Sequence, residues 1–415
     1  VAQKLEEFFP EAHLQEEALE FYARVARCAP TPETERARFR GSLLSIWMGS
    51  CVRAVPWLRS LSEDRKSEFH SRSLFWLARC SQKVGDKLGF EVARQKLLKE
   101  HPLSFHSIIL FQNEPKKLAR VMEGPDPEVL FRSREKPESM DSIRTIEAML
   151  SFGERDLAKS MLQKTAPLLE GTEPEFRLYL AELFERAGDP IGRFRWLGSA
   201  LREKPTLVTL STLKAFYPLR RFEILERHSN LVDPLFTAAL IRQESGFHPQ
   251  ARSPVGALGL MQIMPATARR MERVSRFSLL DPSTNVRLGT RFLHGLLERF
   301  DRNADLALAG YNAGPHRVDQ WKRRYPMEDR ILFLDFIPFK ETRDYVSLIG
   351  RNYYWYLALY SDFEPAAKLD HAYRALASSS ELGGPLLRQK LPRSRGSYGK
   401  RPGVEFTFFP MPPLR

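Results

Sequence analysis

Phe75-Trp76-Leu77-Ala78, then Gly85-Asp86, Ala93 and Pro102, returns further along the chain as Leu178-Tyr179-Leu180-Ala181, Gly188-Asp189, Ala200 and Pro205. In both copies 17 residues separate the glycine from the proline, and Gly153 lies 35 residues before Gly188 and 68 after Gly85. These spacings are close to one and two steps of a helix–turn–helix repeat of about 34 residues. The glycine suits a tight turn between two helices, and the proline ends the second helix. Around these markers, residues 1 to about 225 place apolar side chains three and four apart, with few alternating β-branched runs, which is the helical pattern. The expectation is an all-α chain opening with a helical superhelix. A plain, irregular helical bundle is the competing reading.

Outward from the repeats the pattern changes. Prolines at 115, 125, 127 and 137 mark a long connection or a worn repeat between 112 and 142. Residues 226 to about 374 read as a second unit of short helices joined by Gly- and Pro-rich loops. From 375 to 415 periodicity fades. Arg388, Lys390, Arg393, Arg395, Lys400 and Arg401 follow one another without an acid, and Phe406, Phe408 and Phe409 lie near the end. This reads as a basic extension that attaches to an anionic surface or is strapped onto the fold by its aromatic end.

A chain of 415 residues, 43% hydrophobic, holds two or three domains with real cores. No apolar run approaches the length that crosses a bilayer. The polar, acidic start from Gln3 to Glu7 does not read as a secretion leader, and a start at Val1 is expected to reflect processing or trimming. A net charge of +13 suits nucleic acid, anionic lipid or an anionic polymer, but no zinc-finger spacing or RNA-recognition signature is present, so nucleic acid is not expected. Cys28, Cys51 and Cys80 are too few and too odd in number for a disulfide framework. They are expected as buried helical thiols, with one optional disulfide.

The chemistry concentrates after Asp233-Pro234, a good N-cap followed by a good first helical residue. A helix from Leu235 to Ser245 would bury Phe236, Leu240 and Ile241, and Glu244 falls on that apolar stripe by its three- and four-residue spacing. Burial of a carboxyl there favours the protonated acid, as a general acid requires; a salt-bridged structural glutamate is the alternative. Gly246 ends the helix. Gly256 and Gly259 in the next loop permit close backbone approach, as a sugar chain in a groove would need. Tyr311 and Asn312 sit at a later helix end.

Four blocks stand in order: Glu244-Ser245, Gly259-Leu260-Met261-Gln262, Tyr311-Asn312-Ala313-Gly314-Pro315, and Ile337 through Val346 with Lys340-Glu341-Thr342-Arg343-Asp344 inside it. Together they resemble the soluble lytic murein transglycosylase family over residues 226 to 360, and more loosely upstream. That resemblance implies a lysozyme-like α-helical catalytic domain over 226–374, preceded by a tetratricopeptide-like superhelical region over 1–225. It implies Glu244 as the acid/base and Ser245, Ser253, Gln262, Met264, Tyr311 and Asn312 as residues that position the glutamate or hold sugar N-acetyl groups. Glu341 matches a further carboxylate of the site, although a brace paired with Arg343 is an equal reading.

Most glycosidases use two carboxylates; the resemblance implies one, assisted by the substrate. Glu244 would protonate the bond between N-acetylmuramic acid and N-acetylglucosamine, and the 2-acetamido oxygen would stabilise the charge at C1. Glu244 would then take the proton of the C6 hydroxyl as that oxygen closes a 1,6-anhydro ring, with no cofactor and no metal. A lysozyme-type hydrolase and an inert peptidoglycan-binding scaffold are the alternatives. Peptidoglycan strands are the expected partner, an anionic membrane surface or other cell-wall proteins further ones, and the periplasm or cell envelope the expected location.

Overall fold

The computed structural model describes residues 12–111, 114–124, 137–228 and 230–361. The basic extension, the start of the chain and residues 112–113 and 125–136 of the proline-rich connection therefore lie outside the described residues. Among the described residues, regular structure is helical, and the β-pairing consists of two isolated bridges, Arg252 with Leu258 and Leu258 with Ile263. The chain packs as two units, one from Val1–Asn113 with Arg299–Leu348 and one from Glu114–Glu298 with Ile349–Arg415.

In the first unit the helices Pro32–Trp47, Cys51–Leu61, His70–Lys83 and Lys87–Glu100 follow one another through short turns. Gly85 adopts φ +82. Its N–H donates to Gln82 O at 3.2 Å, and Asp86 N–H donates to Ser81 O at 2.9 Å. This pair of bonds is the Schellman arrangement, which needs a left-handed residue and so favours glycine. Gly49 repeats it (φ +82), with Ser50 N–H on Ser45 O at 2.8 Å. Gly49 is a copy of the turn that the spacing argument missed. The helix Arg330–Phe336 packs against Pro32–Trp47. There the Arg40 guanidinium donates to Asp335 O at 3.1 Å, and Trp76 Nε1 donates to the Asp335 carboxylate at 2.7 Å.

The second unit contains the other repeat markers. Gly153 (φ +82) and Gly188 (φ +71) close the same turn, with Glu154 N–H on Met149 O and Asp189 N–H on Phe184 O, both at 2.9 Å. Asp189 then caps the next helix by accepting from Gly192 N–H at 3.0 Å, as Asp86 accepts from Gly89 N–H at 2.8 Å. The repeated element is thus Gly-Asp-x-x-Gly. The second glycine is set by packing: a Cβ on Gly192 would enter the Phe184 ring.

The cysteines divide. Cys51 and Cys80 are buried, as expected, with their Sγ atoms 2.6 Å apart, and are the pair placed to close a disulfide. Cys28 corrects the expectation. It is exposed, beyond the end of the helix Ala12–Ala26, because Ala29-Pro30 follows at once and stops further helical turns.

A histidine cluster in the first unit is buried neutral. The Ser62 carbonyl sits 3.1 Å from His70 Nε2, so His70 carries its proton there and its Nδ1 accepts from His101 Nε2 at 2.8 Å. Glu100 stands beside this pair, and the three side chains are near enough to share a metal ion. Arg65 on Glu100 and Lys96 on the Ser62 carbonyl place two cations at the same spot, which opposes a dication. Burial, then the other histidine, holds His101 down at about 4, and burial holds His106 at about 4.

Two predictions follow from this packing. Gly153→Ala, which meets open space but keeps a left-handed φ, should cost about 1 kcal/mol, whereas Gly192→Ala should cost about 2–3 kcal/mol by displacing Phe184; denaturant unfolding compares them. The unfolded histidines take up protons near 6.5, while folded His101 and His106 resist until about 4. Stability is therefore complete above pH 6.5 and drains away as pH falls from there toward 4. Thermal unfolding should lose several degrees across that window, and His106→Asn should flatten the slope.

Candidate functional site

The helix Pro234–Glu244 begins as the sequence indicates. The Asp233 carboxylate accepts from Leu235 N–H at 2.7 Å and Phe236 N–H at 2.9 Å, and Pro234 takes the first turn. Burial pushes the Asp233 carboxyl up to about 6, against the pull of these two donors. The expected single apolar stripe is corrected: every residue from Pro234 to Arg242 is buried, so this is a core helix with no polar face. Arg242 is tolerated inside because its Nε donates to Phe216 O at 2.9 Å and its Nη1 to Asn352 Oδ1 at 3.2 Å. The guanidinium also lies 4.4 Å from the Phe216 ring centre and 4.7 Å from that of Tyr217. Burial lowers its affinity for its proton to about 10. Glu244 is the last helical residue, half-buried where the helix emerges from the core.

The chain then reverses. Ser245 caps the helix, and Gly246 (φ +56) and Phe247 (φ +67) are both left-handed. Phe247 is a bulky side chain in a conformation costing about 1–2 kcal/mol, and burial of its ring, 4% exposed, offsets that strain. The Ser245 hydroxyl is buried and donates to Leu260 O at 2.7 Å. It thereby joins the helix end bearing Glu244 to the loop bearing Gln262, a positioning role.

That loop is a miniature hairpin. Leu258 and Ile263 exchange N–H···O bonds at 3.1 and 3.0 Å. Ser253 closes the turn before it, its Oγ accepting from Ala257 N–H at 2.9 Å. Gln262, at φ +47, turns its Nε2 back onto Gly259 O at 2.8 Å and Ala251 O at 3.2 Å. Met264 stands exposed at the start of the next helix, Pro265–Met271.

Sequence reasoning missed the residue that holds this loop. Asn285 is fully buried. Its Oδ1 accepts from Met261 N–H at 2.7 Å, and its Nδ2 donates to Leu258 O and Leu279 O, each at 2.8 Å. Gly259 also changes meaning. A Cβ there would strike Asn285 Nδ2 and Leu279 O, so internal packing requires this glycine. Gly256 (φ +90) does face open space. An asparagine in the amphipathic helix Pro282–Arg299 gave no signal beyond its spacing opposite the loop.

Tyr311, Asn312 and Glu341 gather in the other unit. The helix Ala304–Ala313 carries half-buried Tyr311 and Asn312 in its last turn. It is anchored by buried Asp305, whose carboxylate takes both Nε and Nη2 of Arg330. Asn312 Nδ2 donates to Glu341 Oε1 at 3.2 Å, while the Thr342 hydroxyl donates to Asn312 Oδ1 at 2.6 Å. These two bonds fix which way the amide points, and Thr342, 1% exposed, is a second positioning residue absent from the sequence reading. The Glu341–Arg343 brace is not formed; Arg343 donates instead to the carbonyls of Ile337 and Pro338. Glu341 remains exposed at the start of the helix Lys340–Tyr360.

The helix-end glutamate is thus joined through Ser245 to the carbonyl of Leu260 in the loop that follows. Residues 224–333 match the family model of the transglycosylase SLT domain. The SLT segment carries Glu244, Ser245, Ser253, Gln262, Met264, Tyr311 and Asn312, and Glu341 lies just beyond it. The chain is 39% identical over 144 residues to the soluble lytic murein transglycosylase of Escherichia coli K12, covering 32% of this chain and 22% of that protein. The Salmonella typhimurium protein of that name is 39% identical over 163 residues, covering 36% and 24%. The match thus spans under a quarter of the length of these relatives. Among solved structures, an inactive glutamate-to-glutamine mutant of lytic transglycosylase Slt from Pseudomonas aeruginosa superposes with a TM-score of 0.65 at 23% identity, over 86% of this chain and 55% of that one. The 70 kDa soluble lytic transglycosylase of Escherichia coli gives 0.53 at 21% identity, over 84% and 57%. The shared all-helical fold therefore extends well beyond the SLT segment.

Asn285→Ala should strand the buried Met261 N–H and Leu279 O and take one of two donors from Leu258 O, costing about 3 kcal/mol or more. Asn285→Asp should be no better, because it turns an anionic oxygen toward two carbonyl oxygens. Thermal unfolding of the two variants beside the wild type checks this; equal stability of Asp and Asn at this position would refute the assigned geometry.

Proposed function

We propose that this protein is a lytic transglycosylase that cuts the β-1,4 bond between N-acetylmuramic acid and N-acetylglucosamine in peptidoglycan and leaves 1,6-anhydromuramoyl ends. The observation that carries this reading is Glu244, the half-buried end of a core helix, coupled through Ser245 and Leu260 to the loop of Gln262 inside the SLT segment. The names of the relatives, and a solved complex of the 70 kDa soluble transglycosylase with bulgecin A, support it. The domain reading that goes with it takes 226–374 as the catalytic segment, 1–225 as a helical array that confines the glycan or its peptides, and 375–415 as a basic attachment. Action in the periplasm or cell envelope follows from the substrate. Among the described residues no helix is long and apolar enough to cross a membrane.

Each residue has a task in this scheme. Protonated Glu244 donates to the glycosidic oxygen as the C1–O bond breaks. The substrate's acetamido oxygen shields the positive charge at C1, with Asn312 and Tyr311 orienting that group. Ionised Glu244 then removes the C6 hydroxyl proton while the C6 oxygen bonds to C1. The nucleophile is part of the same sugar, which carries the entropic advantage of an intramolecular reaction. Gln262 accepts from an N-acetyl N–H through its remaining oxygen, and Met264 offers an apolar edge to the sugar.

Glu244→Gln keeps the shape but removes the transferable proton. Turnover on sacculi should fall at least about a hundredfold, with melting temperature and glycan binding unchanged. Mass spectrometry of the wild-type products should show anhydromuramoyl ends. Reducing ends would make the enzyme a hydrolase, and wild-type turnover by the Gln variant would remove Glu244 from the mechanism.

A further inference from the structure

A cavity of about 460 Å³ lies wholly within the unit formed by residues 1–113 and 299–348, between the helices Pro32–Trp47 and Pro315–Arg324 and the turn at 338–340. Its size is that of a small-ligand site, and it includes none of the residues assigned above to glycosidic cleavage. Its walls are aromatic: Phe39 and Phe69 stack with ring centres 4.7 Å apart, and Trp321 meets Phe339 edge-on at 5.5 Å.

The charge on these walls is one-sided. Arg36, Arg317, Arg324 and Arg343 line the cavity, and among the described residues none of the four forms an ion pair with a carboxylate. Arg317 donates to Ala313 O at 2.9 Å and Arg343 to Pro338 O at 3.2 Å, so both guanidinium groups give these hydrogen bonds to carbonyls and not to carboxylates. Arg343 Nε is buried without an acceptor. Of the two lining acids, Glu68 lies 3.3 Å from Lys340, itself on the cavity wall, and Asp335 accepts from Trp76 and lies 3.6 Å from Arg72. Burial, then the neighbouring cations Arg72 and Arg40, outweigh the pull of Asp335 and Asp344 and press Arg343 down to about 10; a bound anion would relieve that repulsion.

The spacing selects the kind of anion. Arg317 and Arg324 lie seven residues apart on one helix, which places them on the same face with a rise of about 10 Å between them. A single phosphate is too small to bridge that span; a short peptide bearing separate carboxylates is not. Guanidinium groups pair with carboxylates through two parallel hydrogen bonds, and the aromatic walls suit an aliphatic peptide body.

We propose that this cavity binds the carboxylate-bearing peptide stems of peptidoglycan, as a site separate in its residues from the cleavage machinery. The inference rests on the proposed substrate and names the part of it that these arginines hold.

The test is calorimetry on the full chain carrying Glu244→Gln, with an N-acetylmuramoyl tripeptide whose carboxylates are free. Binding should weaken as salt rises. It should fall about tenfold for each of Arg36→Gln and Arg324→Gln, both at or near the surface and so expected to leave melting temperature unchanged. Amidating the peptide carboxylates should abolish it. In the otherwise wild-type enzyme the double variant should raise KM on peptide-bearing sacculi with kcat kept, and should leave cleavage of peptide-free glycan strands unchanged. Equal binding of the amidated peptide, displacement by equimolar inorganic phosphate, or undiminished binding by the double variant would overturn the proposal. Because calorimetry with the Gln variant reads no turnover, a failure of the cleavage mechanism would leave its result intact and be recognised separately.

Discussion

The side-chain amide of Asn285 is the interaction on which the Glu244 side of the site depends. It gives one acceptor to Met261 N–H and two donors to Leu258 O and Leu279 O, at a fully buried position. A loop that bends through Gly259 and Gln262, both left-handed, leaves Met261 N–H for a side chain to satisfy, and unpaired buried groups cost more than the hydrogen bonds themselves gain. Once Asn285 supplies the partners, the hairpin is rigid. Leu260 O is then in place for Ser245, and Ser245 fixes the end of the helix that carries Glu244. The order of dependence runs from a core amide to a loop, from the loop to a serine, and from the serine to the glutamate.

The same economy of backbone satisfaction shapes the helical arrays. Gly49, Gly85, Gly153 and Gly188 each end a helix in a left-handed residue, and each turn pairs the last carbonyls of that helix. Asp86 and Asp189 then serve the donors of the following helix. At Gly85 and Gly188 one five-residue device therefore closes one helix and opens the next, and the recurrence of the glycine turn gives the sequence its period.

Arginine is used in two contrasting ways. Arg242 is buried among the rings of Phe216, Tyr217 and Phe194 and bonds to Phe216 O and Asn352. There the cation is structural, tying the Glu244 helix to its surroundings. Arg36, Arg317, Arg324 and Arg343 instead stand around an open volume, where the same residue type retains a charge that an external anion can meet. Charge composition, +13 over the whole chain, does not separate these two uses; burial and partners do.

Helical class, the glycine turns, the Asp233 cap and the placing of Glu244 at a helix end were legible in the sequence, because each is fixed by interactions within a few residues: a repeat period, a side chain reaching two or three residues ahead, a glycine needed for a left-handed φ. Contacts distant in sequence decided the rest. Gly259 read as room for a sugar, but Asn285, 26 residues on, occupies that room. Glu341 read equally as a carboxylate of the site or as a partner of Arg343, its neighbour two residues away, but Asn312 holds it from another helix. The Glu244 helix read as amphipathic from its spacing, yet it is enclosed on all sides, since burial depends on how many elements pack around a helix. Local chemistry determines the backbone turns and caps of this protein. Only the tertiary structure decides which polar groups those turns leave unpaired, and which distant side chains come to satisfy them.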